Sequence, residues 1–219
     1  MTTQWTRRAT LPAMGTLAVL VLGGCQSAST TPEPSEQNGS ETSPTEVSPD
    51  TQTPDAEDAS ALPDWTIGAP ESDTDAALAW EALMGPDGEY AALASYQAVL
   101  DEFGQVEPYA TIKDAEARHA EALVRQLDRM GVDTPAENPY LGLIAAPADL
   151  ETAAEAWAVG EVANVKLYDE LIAQATDERL IEVFENLRRA SDESHLPAFE
   201  AAADNGGTLD PADIPQQSK

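Results

Sequence analysis

The chain holds two histidines, and each follows an acidic residue by three positions. One pair is Glu116 with His119, and the other is Asp192 with His195. Residues three apart in a helix lie on the same face, so each pair can present a carboxylate and an imidazole in one direction. Carboxylates and imidazoles together are donors that iron and manganese take in proteins. The spacing therefore predicts a metal site.

Two further carboxylates interrupt apolar helix faces. Glu89 shares a face with Leu93 and Tyr96, and Glu161 shares a face with Trp157. Buried carboxylates without a partner are unfavourable by several kcal/mol, so a set of them requires cations nearby. The basic residues of these segments fall off the apolar faces, with Arg188 the nearest to one. Two metal ions would supply the charge, although a metal-free bundle in which acids pair with the histidines also fits the pattern.

Helix start and stop signals after Trp65 place these residues on separate helices. They predict a short helix over 75–84 and four long helices over 87–103, 108–131, 149–175 and 177–204. The first two long helices and the last two are joined by short turns, which predicts two antiparallel hairpins, and residues 132–148 are long enough to cross between them. No useful strand-like alternation is present. The fold class is therefore all-α.

Positions along the two hairpins indicate that the polar side chains lie at similar depth. Glu89 and His119 are equidistant from Gly104, and Glu161 and Asp192 are equidistant from the turn at 176–177. Residues at equal distance from a hairpin turn lie at the same level of the bundle. All six polar side chains are therefore expected at one level of the interior: Glu89, Glu116, His119, Glu161, Asp192 and His195.

This arrangement resembles the dimetal-carboxylate motif of the ferritin-like superfamily, with a Glu on two helices and Glu-x-x-His on the other two. EYAALASYQAVLDEFG, EPYATIKDAEARHAEAL, VANVKLYDEL and SDESHLPAF look like a bacterial ferritin-like domain family of unknown function, over about residues 76–204. The resemblance implies a ferritin-like four-helix bundle and two iron or manganese ions. Its candidate ligands are Glu89, Glu116, His119, Glu161 and His195. Asp192 departs from the pattern, since its side chain is shorter than Glu, which implies a weaker second metal position.

The N-terminus has the features of an export signal. Arg7 and Arg8 precede a short apolar run, and the run ends in LGGC, which resembles a bacterial lipobox with lipidation at Cys25. Residues 1–24 would be a signal peptide, exported by the general or the twin-arginine route. Residues 25–64 would be a disordered acidic tether, because they are rich in proline and lack aromatic residues. Residues 65–206 would form the helical domain, and 207–219 a flexible tail.

The charge of the chain limits its partners. Forty acidic against eleven basic residues give a net charge of −29, which repels nucleic acid and anionic lipid headgroups. The expected partners are metal ions and the membrane reached through the lipid on Cys25, at the extracytoplasmic face, periplasmic or at the cell surface. A homodimer is among the assemblies that the sequence allows.

The sequence leaves three functions open. The first is a lipid-anchored di-iron oxidoreductase that oxidises Fe(II) or reduces dioxygen or peroxide. The second is a metal-binding lipoprotein without turnover, and the third is a metal-free helical interaction module. No nucleophile triad or phosphate-binding loop is present. The buried aromatic residues, Tyr96 and Tyr168 among them, are expected to pack in the core.

Overall fold

The computed structural model describes residues 62–215, and every regular element in that range is helical. The predicted signal peptide, the predicted lipidation site Cys25 and nearly all of the predicted tether lie outside the described residues. No described helix is both long and apolar enough to cross a membrane. The elements are α1 (Asp75–Met84), α2 (Glu89–Phe103), α3 (Tyr109–Arg129), α4 (Leu150–Gln174), α5 (Glu178–Ala190), a π-helical turn (Ser191–His195), α6 (Leu196–Asp204) and a 3₁₀ turn (Pro211–Asp213).

Side-chain caps fix the starts of the long helices in the second half of the chain. The Asp149 carboxylate accepts a 2.8 Å hydrogen bond from the Thr152 backbone N–H at the start of α4. The Asp177 carboxylate caps α5 in the same way through the Leu180 N–H, at 3.0 Å. Asp177 also pairs with Arg129 at 2.8 Å, which ties the end of α3 to the start of α5.

Helices α3 and α4 run in the same direction. At their first turns, the Tyr109 hydroxyl donates a 3.0 Å hydrogen bond to the Leu150 carbonyl oxygen. At their other ends, Arg129 in the last turn of α3 pairs with Asp177 just after α4, so the connecting residues 130–149 run back along the domain. Two contacts anchor this connection: Asn138 Nδ2 donates to the Tyr90 carbonyl at 2.7 Å, and the buried Tyr140 hydroxyl donates to the Met84 carbonyl at 2.6 Å.

The predicted last helix is helical throughout, but a wide turn interrupts it just before Pro197. Pro197 has no N–H, and its ring clashes with the carbonyl four residues earlier in a regular α-helix. The backbone avoids this conflict because the Leu196 N–H donates to the Ser191 carbonyl, a bond to the fifth residue back. The interruption is therefore a π-helical turn that contains His195.

Two apolar clusters form the core, and the acidic residues separate them along the helices. Along α3, Tyr109 and Ile112 belong to one cluster and Leu123 and Leu127 to the other, with Glu116 between them. A corresponding division occurs along α4 around Glu161. The carboxylates therefore lie in a polar layer between two hydrophobic layers.

The segment after α6 differs from the predicted flexible tail, since residues 207–215 pack against the domain. The Leu209 N–H donates a 2.9 Å hydrogen bond to the Glu107 carbonyl, and Ile214 is buried. Gly207 has a φ of +91°, and a Cβ there would lie 2.1 Å from the Leu150 carbonyl carbon. Close backbone contact at Gly207 and the apolar side chains thus hold this segment in place.

Candidate metal centre

The structure brings five of the six predicted ligands together in the interior. Glu89, Glu116, Glu161 and His195 are each no more than 3% exposed, and the His119 side chain is 12% exposed. They come from α2, α3, α4 and the π-helical turn. The start of α2 depends on Gly88, where a Cβ would lie 2.6 Å from the Ala82 carbonyl oxygen. This close approach places Glu89 at the first turn, facing the interior.

The five residues form two groups that share Glu116. The first group contains Glu89, Glu116 and His119, and the second contains Glu116, Glu161 and His195, with the possible ligand atoms within 4.8 Å of one another in each group. Glu116 Oε2 lies 2.7 Å from His119 Nδ1, and Glu116 Oε1 lies 3.0 Å from His195 Nδ1. Each oxygen of the Glu116 carboxylate therefore faces a different imidazole.

Each group has one further carboxylate, Glu89 in the first and Glu161 in the second, which lies farther from its histidine than Glu116 does. We call these two the outer carboxylates. Glu89 Oε2 is 3.7 Å from His119 Nδ1, and Glu161 Oε2 is 3.7 Å from His195 Nδ1. The two imidazole rings stack with centroids 5.5 Å apart. Both halves thus contain one imidazole, one outer carboxylate and one oxygen of Glu116.

His195 is buried without a satisfied ring nitrogen. Although Nδ1 lies close to Glu116, neither Nδ1 nor Nε2 has a partner in hydrogen-bonding geometry. Buried polar atoms nearly always have a partner, so an exception calls for a physical reason. A ring nitrogen that faces carboxylate oxygens without a proper hydrogen bond fits a metal ligand. This observation supports a metal in the second group.

Two buried tyrosines brace the outer carboxylates, each from the opposite helix. The Tyr96 hydroxyl on α2 donates to Glu161 Oε1 at 2.7 Å, and the Tyr168 hydroxyl on α4 donates to Glu89 Oε1. The sequence pattern predicts only core packing for these tyrosines and does not reveal this contact. A repeated spacing could have revealed it, because Glu89 precedes Tyr96, and Glu161 precedes Tyr168, by the same interval of two helical turns.

Burial and the close packing of charges change the protonation of the metal-free centre. Burial raises the pKa of Glu89 to about 8, and the neighbouring Glu116 adds to the shift. Burial would also raise the pKa of Glu116, but His119 and His195 outweigh it and hold this pKa well below its usual value. Burial opposes the charged imidazoles, yet Glu116 raises the pKa of His119 to about 10 and that of His195 to about 9.

Few groups near the centre could balance the negative charge of the buried carboxylates. Among residues 62–215, no lysine or arginine is buried. The carboxylates are therefore balanced either by protons on the two imidazoles or by bound metal ions. Carboxylates and imidazoles in this proportion suit iron or manganese, and metal ions would displace the protons. The residues present thus fit a metal centre.

Asp192 is not part of the cluster, which corrects its assignment as a ligand. Its side chain is 47% exposed and pairs with Arg188, whose Nη1 lies 3.2 Å from Asp192 Oδ2. Residues three apart share a face in an α-helix, but the wider turn through 191–195 changes that relation. His195 therefore faces the interior while Asp192 faces solvent.

No family model, curated protein or solved structure matches this chain. Its function is accordingly inferred from the geometry of the buried centre.

Proposed function

We propose that this protein is a dimetal-carboxylate protein of the ferritin-like type, with iron as its metal, and that it oxidises Fe(II) or reduces dioxygen or peroxide. Manganese fits the same donors. The observation that carries the proposal is Glu116, whose two carboxylate oxygens each face one histidine. A carboxylate placed between two equivalent donor groups is suited to hold two ions side by side.

The helix arrangement supports this type of fold. Helices α2 and α3 form one hairpin, α4 forms the other with α5 and α6, and the connection over 130–149 runs back along the domain. In ferritin-like di-iron proteins, each of the four helices contributes acids or histidines to a centre inside the bundle. Here α2, α3, α4 and the π-helical turn contribute in that way.

Each residue has a distinct task in the proposed centre. Glu89 and His119 would hold one ion, Glu161 and His195 would hold the other, and Glu116 would give one oxygen to each. Iron there would supply an Fe(II)/Fe(III) couple able to pass electrons to dioxygen or peroxide. The two hydrophobic layers exclude water from the carboxylates, which strengthens their interaction with a cation.

The exposed position of Asp192 favours a second candidate, a metal-binding protein without turnover. The superfamily pattern places a carboxylate here, and its absence from the cluster leaves five protein ligands for two ions. Such a protein would bind iron in a fixed ratio but would not consume oxygen or peroxide catalytically.

The cellular setting is proposed from the sequence. The LGGC sequence ending at Cys25 supports a lipid-anchored protein on the extracytoplasmic face of the membrane. The acidic segment that follows would hold the metal domain away from the lipid headgroups by charge repulsion.

Anaerobic loading with Fe(II), metal analysis and then oxygen-consumption measurements test the proposal. Glu116→Gln should lower bound iron strongly, because both donor groups lose the shared carboxylate. Glu121→Gln is the matched control, since Glu121 lies on the same helix with a 70% exposed side chain. Equal iron content in the two variants would refute the metal centre. Stoichiometric iron without oxygen use would favour the second candidate.

A further inference from the structure

A cavity of about 270 Å³ opens beside His119, between α3 and the segment formed by α5 and the π-helical turn. Sites for drug-sized molecules span roughly 300–1,000 Å³, so this volume suits a smaller ligand. His119 connects the cavity to the buried centre, but the other cavity residues belong to neither metal group.

Two guanidinium groups give the cavity a positive character. Arg118 from α3 and Arg189 from α5 both line it, and neither pairs with a carboxylate among residues 62–215. The Arg189 guanidinium instead contacts the Asn186 side-chain oxygen. One acid, Glu193, also lines the cavity, so the arginines outweigh it. Both arginines are exposed residues, which leaves them accessible to a ligand from solvent.

A buried hydroxyl adds a second, independent sign of a ligand. Ser194 lines the cavity, is 5% exposed, and its Oγ has no hydrogen-bond partner. Buried hydroxyl groups are nearly always paired, with protein or with a bound molecule. Ser194 lies in the π-helical turn, whose wider backbone brings it and His195 into the interior. Ser194 Oγ is itself buried, so a rotation of the side chain toward the cavity would bring the hydroxyl to an acceptor oxygen bound there.

We propose that this cavity binds a small oxyanion, held by the guanidinium groups of Arg118 and Arg189 and by the Ser194 hydroxyl. Arginine is the side chain best suited to oxyanions, because its planar N–H groups match two oxygens at once. The bound anion would lie against His119, at the edge of the buried centre. This site goes beyond the proposed metal function and requires no metal, since every group named here belongs to the metal-free protein.

Titration of the metal-free full-length protein with inorganic phosphate, followed by calorimetry at low ionic strength, tests the proposal. We expect saturable binding of one phosphate per chain. The double variant Arg118→Gln/Arg189→Gln should weaken the affinity about tenfold or more, because charge-assisted hydrogen bonds are lost. Arg125→Gln/Arg179→Gln is the matched control, since it removes the same charge from exposed positions outside the cavity.

Ser194→Ala tests the role of the hydroxyl separately, without a change in charge. It should weaken phosphate binding several-fold. Circular dichroism of each variant establishes that the helical fold is retained. The proposal would be overturned by the absence of saturable phosphate binding, or by equal weakening in the two double variants. Failure of the metal centre is distinguishable, because wild-type protein would then take up no iron while phosphate binding stayed intact.

Discussion

The Tyr96 hydroxyl reaches across the bundle to donate a 2.7 Å hydrogen bond to Glu161, a residue 65 positions later in the chain. Tyr168 makes the corresponding contact with Glu89 in the opposite direction. The outer carboxylate of each donor group is thus fixed by a tyrosine from the helix that carries the other outer carboxylate. This exchange makes the two halves of the centre nearly equivalent.

Removing either hydroxyl should weaken metal binding without unfolding the protein. Hydrogen bonds to ligating groups typically contribute about 10–100-fold to metal affinity, so Tyr96→Phe and Tyr168→Phe should each show a loss of that order. Competition with a chelator of known affinity measures it. Tyr140→Phe is the control, because its hydroxyl bonds to the Met84 carbonyl outside the centre. A similar loss of affinity in all three variants would show that the tyrosines have no specific role.

The metal-free protein should lose stability as the pH rises from about 5 to about 10. The folded pKa of Glu89 is raised from 4.5 to about 8, and those of His119 and His195 from 6.5 to about 10 and about 9. A group with a raised folded pKa stabilises the folded state below its unfolded pKa, and this contribution disappears as the pH passes through the folded pKa.

Urea unfolding at several pH values measures this decline. Glu89→Gln, which mimics the neutral carboxyl group, should flatten the part between about pH 4.5 and 6.5, where only Glu89 contributes, while the decline from the histidines, which begins near pH 6.5, persists. Bound metal ions should reverse this decline of the unfolding free energy with pH, because they replace the protons on Glu89 and on the two histidines. A metal-free protein whose unfolding free energy is constant or rises over this range would contradict the assigned protonation states.

Metal binding should stabilise the fold. At a free metal concentration of one hundred times Kd, one site adds about 2.7 kcal/mol, which corresponds to a rise in Tm of roughly 5–11 °C for a domain of this size. Thermal unfolding with and without iron or manganese, followed by chelator, provides the measurement. Glu116→Gln should abolish the rise. If wild-type Tm does not respond to metal or chelator, the bundle is a metal-free interaction module instead.

Asp192→Asn should leave metal content unchanged. The Asp192 carboxylate pairs with Arg188 at the surface, and exposed ion pairs of this kind contribute about 0–1 kcal/mol. Stability should therefore change by less than about 1 kcal/mol in urea unfolding. The metal content of Asp192→Asn is compared with that of Glu161→Gln, since only Glu161→Gln removes a buried donor. Loss of an ion from Asp192→Asn would restore Asp192 as a ligand.

The sequence predicts the helices well because their signals are local. The spacing of apolar residues is read within each helix itself. The turn residues Gly104 and Gly131 lie within a few positions of the helices that they end. The grouping of Glu89, Glu116 and His119 also follows from face and depth, since an antiparallel hairpin sets both. These features need no knowledge of long-range contacts.

The errors arise where helix geometry departs from the regular α-form or where contacts are long-range. Asp192 was aligned with His195 on an α-helical face, and the turn enforced before Pro197 removes that alignment. Pro197 was the available signal, but a kink and a π-helical turn look alike in sequence. The tyrosine contacts were missed because a hydroxyl on an apolar stripe resembles ordinary core packing until its partner on another helix is known.

The most direct measurement of the central claim is an anomalous diffraction map of crystals loaded with iron or manganese. It should show two metal peaks with Glu116 between them, one beside Glu89 and His119 and the other beside Glu161 and His195. Peaks confined to surface carboxylates, or no ordered metal at Glu116, would contradict the account.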